Sequence, residues 1–443
     1  MNKHIFKIII PVIGTILLTC SFLQLKSQDM KTSGDSLSLK QIINEVVQNY
    51  PSILEASEAL NISNAKIGLA KSGYYPYVDI TASYTRIGPV PELTFPGLGT
   101  FKFYPENNFN SALEYNQTLY DFGKTKRNIN YEKENKSLTQ QSLEQMKQKL
   151  SMSATANFYT LLFLQEAINI KNEELHTLKE HLEFVEKKKE TGSATQYEIL
   201  TTKVKISNVE SQKLDLISAL TVQQTILNSL LGQTEKTHHA VKKDLVVTFS
   251  ELPVDSLLSY AVNHRDEMKI AKEKIMLSEL QLKIVKGQNN PVFNVFADGG
   301  WKNGYIPDLN PLKANFVAGV GLRVPLFDAT KTKFNVMQVK SNIKTNNLET
   351  EVIKRNITNE IVENQSNIQT SRKKFDQFKL QLELAQKALS LAEISFKAGA
   401  ITNLDLLDAT TSVSESRLNL LKSNIDYIIS VYKLKVALGE RLY

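Results

Sequence analysis

The sequence contains one cysteine, Cys20, among its 443 residues. A disulfide needs two cysteines, so the chain cannot form one internally. No thiolate metal site or cysteine nucleophile is available after position 20. A chain of this size without disulfides has to be stabilised by packing or by oligomerisation.

The motifs of common enzymes are also absent. The sequence has no phosphate-binding loop and no G-x-S-x-G motif. Its six histidines are scattered, and His176 and His181 are five residues apart, whereas two metal ligands on one helix face are four apart. We therefore predict a protein that is not an enzyme, with no catalytic residues, no metal site and no cofactor.

The sequence has no strong excess of one charge. It holds 53 basic and 46 acidic residues, for a formal net charge of +7. Residues 1–28 contain three of the lysines and no acid, so the remainder carries +4. Lysine and glutamate are interleaved rather than grouped, which is typical of solvated helix faces. The sequence therefore predicts no nucleic-acid partner.

Long apolar runs are missing except at the start of the chain. Residues 5–20 are nearly all apolar, with Lys3 before them and Lys7 near their beginning. This pattern is typical of a secretory signal peptide, and the apolar segment is too short for a transmembrane helix. We predict a signal peptide over residues 1–28, cleaved near Gln28.

A lipoprotein signal is the alternative reading of the same segment. Cys20 follows Leu17-Leu18-Thr19, which resembles a lipoprotein box, although Thr19 departs from the small residue usual at that place. In this reading Cys20 would be retained and lipidated. Otherwise it is an apolar residue of the removed signal.

The chain repeats itself. Residues 119–126 read LYDFGKTK and residues 326–333 read LFDATKTK, with five of eight positions identical at an offset of 207. The same offset relates two further pairs of landmarks, Gly192 with Gly399 and Leu231 with Leu438. A register held without a gap over more than 110 residues indicates a duplicated structural unit.

Each unit is predicted to contain a very long helix. No proline occurs from 124 to 190 or from 330 to 397, so each segment can form one helix of about 100 Å. Two apolar rows run along the second of them, which predicts a neighbour on each of two sides. The first row is Phe375, Phe378, Leu382, Ala385, Leu389, Ala392 and Phe396, and the second is Leu380, Leu384, Ala388 and Leu391.

Between the helices, four segments alternate apolar and polar residues. Phe316, Val320 and Leu322, for example, share one parity against Asn315 and Arg323. Segments of about ten residues with this period are typical of transmembrane β-strands. Loops rich in glycine and proline join each pair of strands. The four predicted strands cover about residues 77–87, 109–119, 292–302 and 315–325.

These elements predict the following organisation. A first structural repeat spans residues 29–235, a connector spans 236–253, and a second repeat spans 254–443, each repeat beginning with a helix. The long helices are predicted over about 122–190, 195–231, 329–397 and 403–439.

Four strands are too few to close a barrel. Lipid cannot satisfy an open sheet edge, so strands that cross a membrane must be pooled from several chains, and three chains would supply twelve. The alternative is a soluble protein that carries two ordinary β-hairpins on a coiled coil.

The sequence resembles the TolC-like outer-membrane efflux proteins, or outer membrane factors. The resemblance is carried by LYDFGK, by PLFDAT (325–330), and by Gly399 followed by LDLLDAT, and it extends over the chain after the signal. It implies a mainly α fold with a membrane β part. A homotrimer forms a twelve-stranded transmembrane β-barrel in the outer membrane, which continues as a twelve-helix α-barrel through the periplasm.

The resemblance also implies a function and partners. The protein would be the passive exit duct of a tripartite efflux system for small molecules. It would contact outer-membrane lipid, a periplasmic adaptor (membrane fusion) protein and an inner-membrane pump of the RND or ABC type. An exit duct of a type I protein-secretion system has the same fold and remains open. A trimeric coiled-coil surface protein explains the helices but not the strands.

Within this family, functional carboxylates follow the glycine turn of the second long hairpin. Asp405 and Asp408 match that pattern, six and nine residues after Gly399. Spaced three apart they share a helix face, and in a trimer they would form two rings that constrict the pore and favour cations. Acids near a helix start also stabilise the helix dipole, so residues alone leave both roles open.

A second acid, Glu198, lies six residues after Gly192, where the family can hold an acid that latches the closed tunnel. In the family its partners are an aromatic hydroxyl and an arginine. The corresponding residues here, Phe396 and Ile401, form no side-chain hydrogen bonds. The resemblance therefore implies that this latch is absent, and we expect Glu198 to face solvent.

Two further sets of residues are placed by the repeat. The hairpin tips would dock the adaptor through small residues, although glycine-terminated helix hairpins have the same composition. The LYD and LFD phrases would join barrel to tunnel. The tip residues are Gly192, Ser193, Gly399 and Ala400, and the joint residues are Asp121, Gly123, Pro325 and Asp328.

Overall fold

A computed structural model describes residues 36–97, 99–233, 237–245, 247 and 253–443. The predicted signal peptide, Cys20 and part of the predicted connector lie outside these residues. The described chain is mainly helical, as predicted, with one four-stranded sheet.

Among the described residues, four helices of 35 residues or more are accompanied by four shorter ones. The helix predicted to begin near 122 begins at Lys124, and the one predicted near 329 begins at Lys331. In chain order the helices are α1 (Leu39–Asn49), α2 (Pro51–Ser72), α3 (Lys124–Glu190), α4 (Gln196–Leu230), α5 (Val254–His264), α6 (Asp266–Lys286), α7 (Lys331–Lys397) and α8 (Asn403–Leu438).

Short helices stack end to end beside the long ones. Tyr50 separates α1 from α2 in an extended conformation, which the following Pro51 favours. Arg265 separates α5 from α6 in the same way. α2 packs on α3, and α6 packs between α3 and α7. Further along, α4 packs on α3 and α8 packs on both α7 and α3. Four helices therefore lie side by side in each half of the helical region: α2, α3, α6 and α7 toward the sheet, and α4, α3, α8 and α7 toward the hairpin turns.

The main apolar core lies at that middle. Phe158 and Leu162 of α3 are buried there against Ile42 and Val46 of α1 and Ile428 of α8. The end of α4 and the short segment around residue 241 complete this core, and Val241 forms an isolated parallel bridge with Leu37. Full burial of each large apolar side chain contributes about 1.5–3 kcal/mol, so this cluster holds the middle of the long helices together.

In chain order the strands are β1 (Tyr77–Arg86), β2 (Glu92–Phe95), β3 (Gly99–Lys102), β4 (Asn107–Tyr120), β5 (Val292–Lys302) and β6 (Lys313–Arg323). The four-stranded sheet has the order β1-β4-β5-β6 and is antiparallel throughout. The register pairs Ile80 with Leu113 and Val295 with Val320 on one face. On the other face Thr81 donates a hydrogen bond to Glu114 over 2.7 Å. The sheet therefore has an apolar face and a largely polar face, and β1 and β6 are its two edges.

One element was missed by the sequence analysis. The sequence predicts a loop over residues 87–108, but this segment contains a short hairpin of β2 (Glu92–Phe95) and β3 (Gly99–Lys102). Lys102 lies 3.3 Å from Glu92 and 2.9 Å from Glu106. Four residues between glycines and prolines are too few for an alternation of apolar and polar side chains to predict a strand.

Among the helices of the described residues, none combines the length and the apolar character needed to cross a membrane. No group of three histidines, cysteines, aspartates or glutamates lies close enough, within the same residues, to hold a metal ion.

Candidate functional site

The two turns at the ends of the long hairpins have the same backbone. Gly192 and Gly399 have φ values of 75° and 74°, in the left-handed region that favours glycine. The next amide in each turn donates back to the helix, from Ser193 to the carbonyl of Lys188 and from Ala400 to that of Ser395, both over 2.8 Å. This six-to-one bond is the Schellman arrangement. The turn itself therefore explains both glycines, because it requires a positive φ at this position.

Each turn is followed by a capping box. Thr195 donates its amide to the carboxylate of Glu198 over 2.7 Å, and the Glu198 amide donates to the Thr195 hydroxyl over 3.3 Å. Thr402 and Asp405 make the same exchange at the start of α8. The hydrogen bond from Thr402 holds the pKa of Asp405 below its ordinary value. Both acids six residues after a turn glycine therefore cap a helix.

Asp408 has a different environment. Its side chain is 66 % exposed, and its nearest cation is Lys205 of α4, at 3.8 Å. An exposed pair at this distance contributes at most about 1 kcal/mol, so the Asp408 carboxylate stays available to other cations. Of the two predicted gate residues, Asp408 is the one whose carboxylate takes no part in a helix cap.

Asn403 connects the two hairpins, and sequence reasoning missed it. The residue is only 3 % exposed. Its amide nitrogen donates to the hydroxyls of Thr201 and Thr202 at 3.2 and 3.1 Å, and its oxygen lies 2.6 Å from Nε2 of His181. Three helices, α3, α4 and α8, thus meet at one amide. An asparagine next to a capping threonine is an ordinary helix start, so no sequence signal marks it.

Replacing Asn403 with leucine should loosen this connection. The change leaves the imidazole of His181 and the two threonine hydroxyls without their partner, at an expected cost of about 1–3 kcal/mol. Hydrogen exchange of backbone amides around residues 196–206 should accelerate. Asn208→Leu, at an exposed position of α4, is the matched control and should leave exchange unchanged. Equal exchange in both variants would contradict the role of Asn403.

The residues at the expected latch positions are apolar and packed. Phe396 is buried with Val185, Ile199 and Leu406, and Ile401 packs against this cluster. The ring of Phe396 lies 5.3 Å from that of His181, edge to face. Aromatic and apolar packing thus joins the hairpins where the family can use a hydrogen-bonded latch.

A buried ion pair strengthens the same contact farther from the tips. Lys171 of α3 donates to the Glu174 carboxylate over 2.8 Å, and Ser414 of α8 donates to the same oxygen over 2.5 Å. Lys171 and Glu174 are each only 4 % exposed. Glu173 pairs with Arg417 nearby at the surface. Polar contacts therefore hold α3 and α8 in register over several turns.

At the other end of α3 and α7, two aspartates organise the transition from strand to helix. Asp121 accepts from the amides of Gly123, Lys124 and Thr125 at 3.0, 3.0 and 2.6 Å. Burial raises its pKa, but these hydrogen bonds outweigh burial and hold the pKa below its ordinary value. The short side chain thus satisfies helix-start amides that would otherwise have no partner.

Asp328 repeats this arrangement. It accepts from the amide of Thr332 at 2.9 Å, from the hydroxyl of Thr332, and from Asn289 at 2.7 Å. These hydrogen bonds, above all that from the Thr332 hydroxyl, lower the pKa of Asp328 to about 2. Ala329 and Thr330 have positive φ values, where the first joint has Phe122 and Gly123. The bend is therefore the same at both joints, although only one has a glycine.

Apolar rows on the two flanks of the helices have no partner within the described chain. The first predicted row of α7 is largely covered by α8, but the second row is exposed, and Leu391 reaches 66 %. α4 carries a matching exposed row in heptad spacing. The exposed side chains are Leu380, Leu384, Leu391 and Ile394 on α7, and Tyr197, Leu200, Val204 and Leu214 on α4.

Comparison with known proteins agrees with this architecture. A protein of Vibrio cholerae named outer membrane protein TolC is 21 % identical over 413 residues, covering 91 % of this chain and 90 % of that protein. The outer membrane efflux protein BepC of Brucella suis is 21 % identical over 402 residues, covering 87 % and 82 %. The chain is thus similar to both relatives over nearly its whole length.

Solved structures show the same fold at lower identity. The transmembrane channel CusC superposes with a TM-score of 0.76 at 19 % identity, covering 91 % of this chain and 92 % of CusC. The Campylobacter jejuni outer membrane channel CmeC gives a TM-score of 0.76 at 16 % identity, covering 92 % and 86 %.

The family model described as "Outer membrane efflux protein" matches residues 42–233 and 257–440. These two segments contain the sheet, the long helices and both hairpin tips. The match confirms the resemblance predicted from the paired phrases. The chain therefore belongs to the outer membrane efflux protein family.

Proposed function

We propose that three copies of this outer-membrane channel protein assemble into one duct. The observation that carries the proposal is the four-stranded sheet with an apolar face and two unpaired edges, β1 and β6. An unpaired edge is not tolerated in lipid, so β6 of one chain must pair with β1 of another. A head-to-tail contact of this kind closes into a ring, and three chains give a barrel of twelve strands.

The helices support the same arrangement. The exposed row of α7 lies on one flank of the chain and the exposed row of α4 on the other, so neighbouring chains can pack the two rows together. Four helices per chain then give a tunnel wall of twelve helices. The repeat inferred from the sequence would supply two strands, one long hairpin and one pair of short helices in each half.

We assign this duct to a tripartite efflux system. BepC is named as an efflux protein, and the family name carries the same activity. The duct would conduct small molecules passively, and the driving energy would come from an inner-membrane pump of the RND or ABC type through a periplasmic adaptor. Gly192, Ser193, Gly399 and Ala400 at the tips are the proposed adaptor contacts. All four are exposed in the single chain.

Asp408 is proposed as the main pore constriction, with Asp405 beside it. In a trimer the Asp408 side chains would form a ring of three carboxylates, which attracts cations and repels anions. Asp405, about one turn away, would add a second ring of charge but also takes part in the capping box of α8. Glu198 occupies the equivalent cap of α4 and is assigned that structural role rather than a latch.

Planar-bilayer conductance of the purified protein tests the proposal. We expect a pore with a preference for cations, and we expect Asp408→Asn to reduce that preference while the protein keeps its stability. Asp405→Asn should reduce it too, and should also weaken the capping box of α8, because a neutral amide oxygen is a weaker acceptor for the Thr402 amide than a carboxylate. Glu363→Gln, which removes an exposed carboxylate from the middle of α7, is the control. Inserted protein without conductance contradicts the duct, and unchanged selectivity in Asp408→Asn contradicts the gate.

A further inference from the structure

Two glutamates from distant parts of the sequence meet between α3 and α6. Glu134 lies on α3, where it shares a helix face with Ser137, and Glu273 lies on α6. Ser137, one turn from Glu134, donates its hydroxyl to Oε1 of Glu273 over 2.9 Å. Oε2 of Glu273 is buried, and no hydrogen-bond donor of the described residues reaches it. Two carboxylates cannot hydrogen-bond to each other unless one of them carries a proton.

The surroundings do not neutralise the pair in another way. From α6, Glu279 and Lys283 line a groove together with Glu134, and Lys133 lines it from α3. From α2, the other helix packed on this part of α3, Lys66 and Lys71 come to a similar level but are exposed. Along the same helices, Glu132 and Lys136 of α3 and Lys269, Lys272 and Lys274 of α6 also lie near the pair, and Lys269 pairs with Asp266. Among the described residues, none of these lysines forms an ion pair with Glu134 or Glu273. A proton is therefore the remaining means of joining the two carboxylates.

We propose that Glu134 and Glu273 share one proton, and that this proton clamps α3 to α6 and makes the seam between the first and second halves of the chain sensitive to pH. The seam lies within one chain, so this inference holds with or without the trimeric duct. When the proton is lost, two negative charges face each other across the seam and the helices repel.

The expected pH range follows from the chemistry of the pair. The hydrogen bond with Glu273, together with burial and the charge of Glu273, raises the pKa of Glu134 from 4.5 to about 7. Between these two values the folded chain binds more protons than the unfolded chain. The stability that the clamp contributes is thus fully present below about pH 4.5 and is lost as the pH rises through about 7.

Thermal unfolding of the purified protein at a series of pH values tests the clamp. The melting midpoint of the wild type should fall by a few degrees between about pH 5 and about pH 8. Glu134→Gln keeps a hydrogen-bond donor toward Glu273 at every pH, so most of this fall should disappear. Glu279→Gln removes an acid from the same groove and should fall like the wild type. A fall in Glu134→Gln as large as that of the wild type would overturn the proposal.

Infrared spectroscopy provides a readout that does not depend on unfolding. At about pH 6 the wild type should show the carbonyl band of a protonated carboxylic acid, and this band should decrease as the pH is raised through about 7. Glu134→Gln and Glu273→Gln should each abolish the decrease, and Glu279→Gln should retain it. Absence of a titrating band in folded wild-type protein would show that no proton is shared.

Discussion

Glu174→Ala should lower the free energy of unfolding by about 3–5 kcal/mol. The change removes the only carboxylate that reaches the buried ammonium of Lys171 among the described residues, and leaves the Ser414 hydroxyl without its acceptor. A buried charge without a partner is far more costly than the pair itself is favourable. Denaturant unfolding followed by the helical circular dichroism signal measures the loss.

Arg417→Ala is the matched control. It breaks the pair with Glu173, which joins the same two helices, α3 and α8, but lies at the surface. An exposed pair contributes about 0–1 kcal/mol, so this variant should stay close to the wild type. Lys171→Met combined with Glu174→Leu removes both charges and should recover most of the stability. Equal losses in Glu174→Ala and Arg417→Ala would contradict the buried-pair interpretation.

Leu384→Asp combined with Leu391→Asp should prevent assembly of the proposed trimer and leave the protein monomeric. Both leucines belong to the second row of α7, which is exposed in the single chain and has no role in its core. In the proposed assembly this row packs on α4 of a neighbour, where two unpaired carboxylates cannot be buried. Light scattering of the detergent-purified protein gives the mass directly, and circular dichroism should show that the helices persist.

The control for this prediction is Gln386→Asp. Gln386 is exposed and lies on the same stretch of α7, but it points away from the second row. It adds a carboxylate without placing it in the contact, so the trimer should remain. If Leu384→Asp with Leu391→Asp stays trimeric, another surface of the chain must hold the trimer together.

The regular elements of this fold were accessible from sequence because their signals are local and repeated. The absence of proline over 124–190 and the heptad spacing after Phe375 are enough to locate helices of 67 residues. The hairpin of β2 and β3 lacks such a signal, because four residues are too few to establish an alternation. Several predicted helix and strand boundaries differ from the observed ones by one or two residues, because periodicity does not show where an element ends.

The site residues divide in the same way. Asp405 and Asp408 were identified through the resemblance to the efflux family, yet their different environments became visible only when Thr402 and Lys205 were placed around them. Asn403 was missed because its partners come from helices about 200 residues away. The pair Glu134 and Glu273 has no sequence signature at all, since each is one glutamate among many on a charged helix.

The central strand pair of the sheet constrains how the chain reaches its native state. In sequence, four helices of the described residues lie between β4 and β5, and the register of the two strands runs from Asn110 with Lys302 to Tyr120 with Phe293. Closing so long a loop is slow compared with forming local helical contacts, so the helices should form first and the sheet last. Until then the apolar face of the sheet, which we propose faces lipid, remains exposed to water and prone to aggregation. Insertion into the outer membrane is therefore expected to be the final step of folding, with the helical part of the chain already assembled as its scaffold.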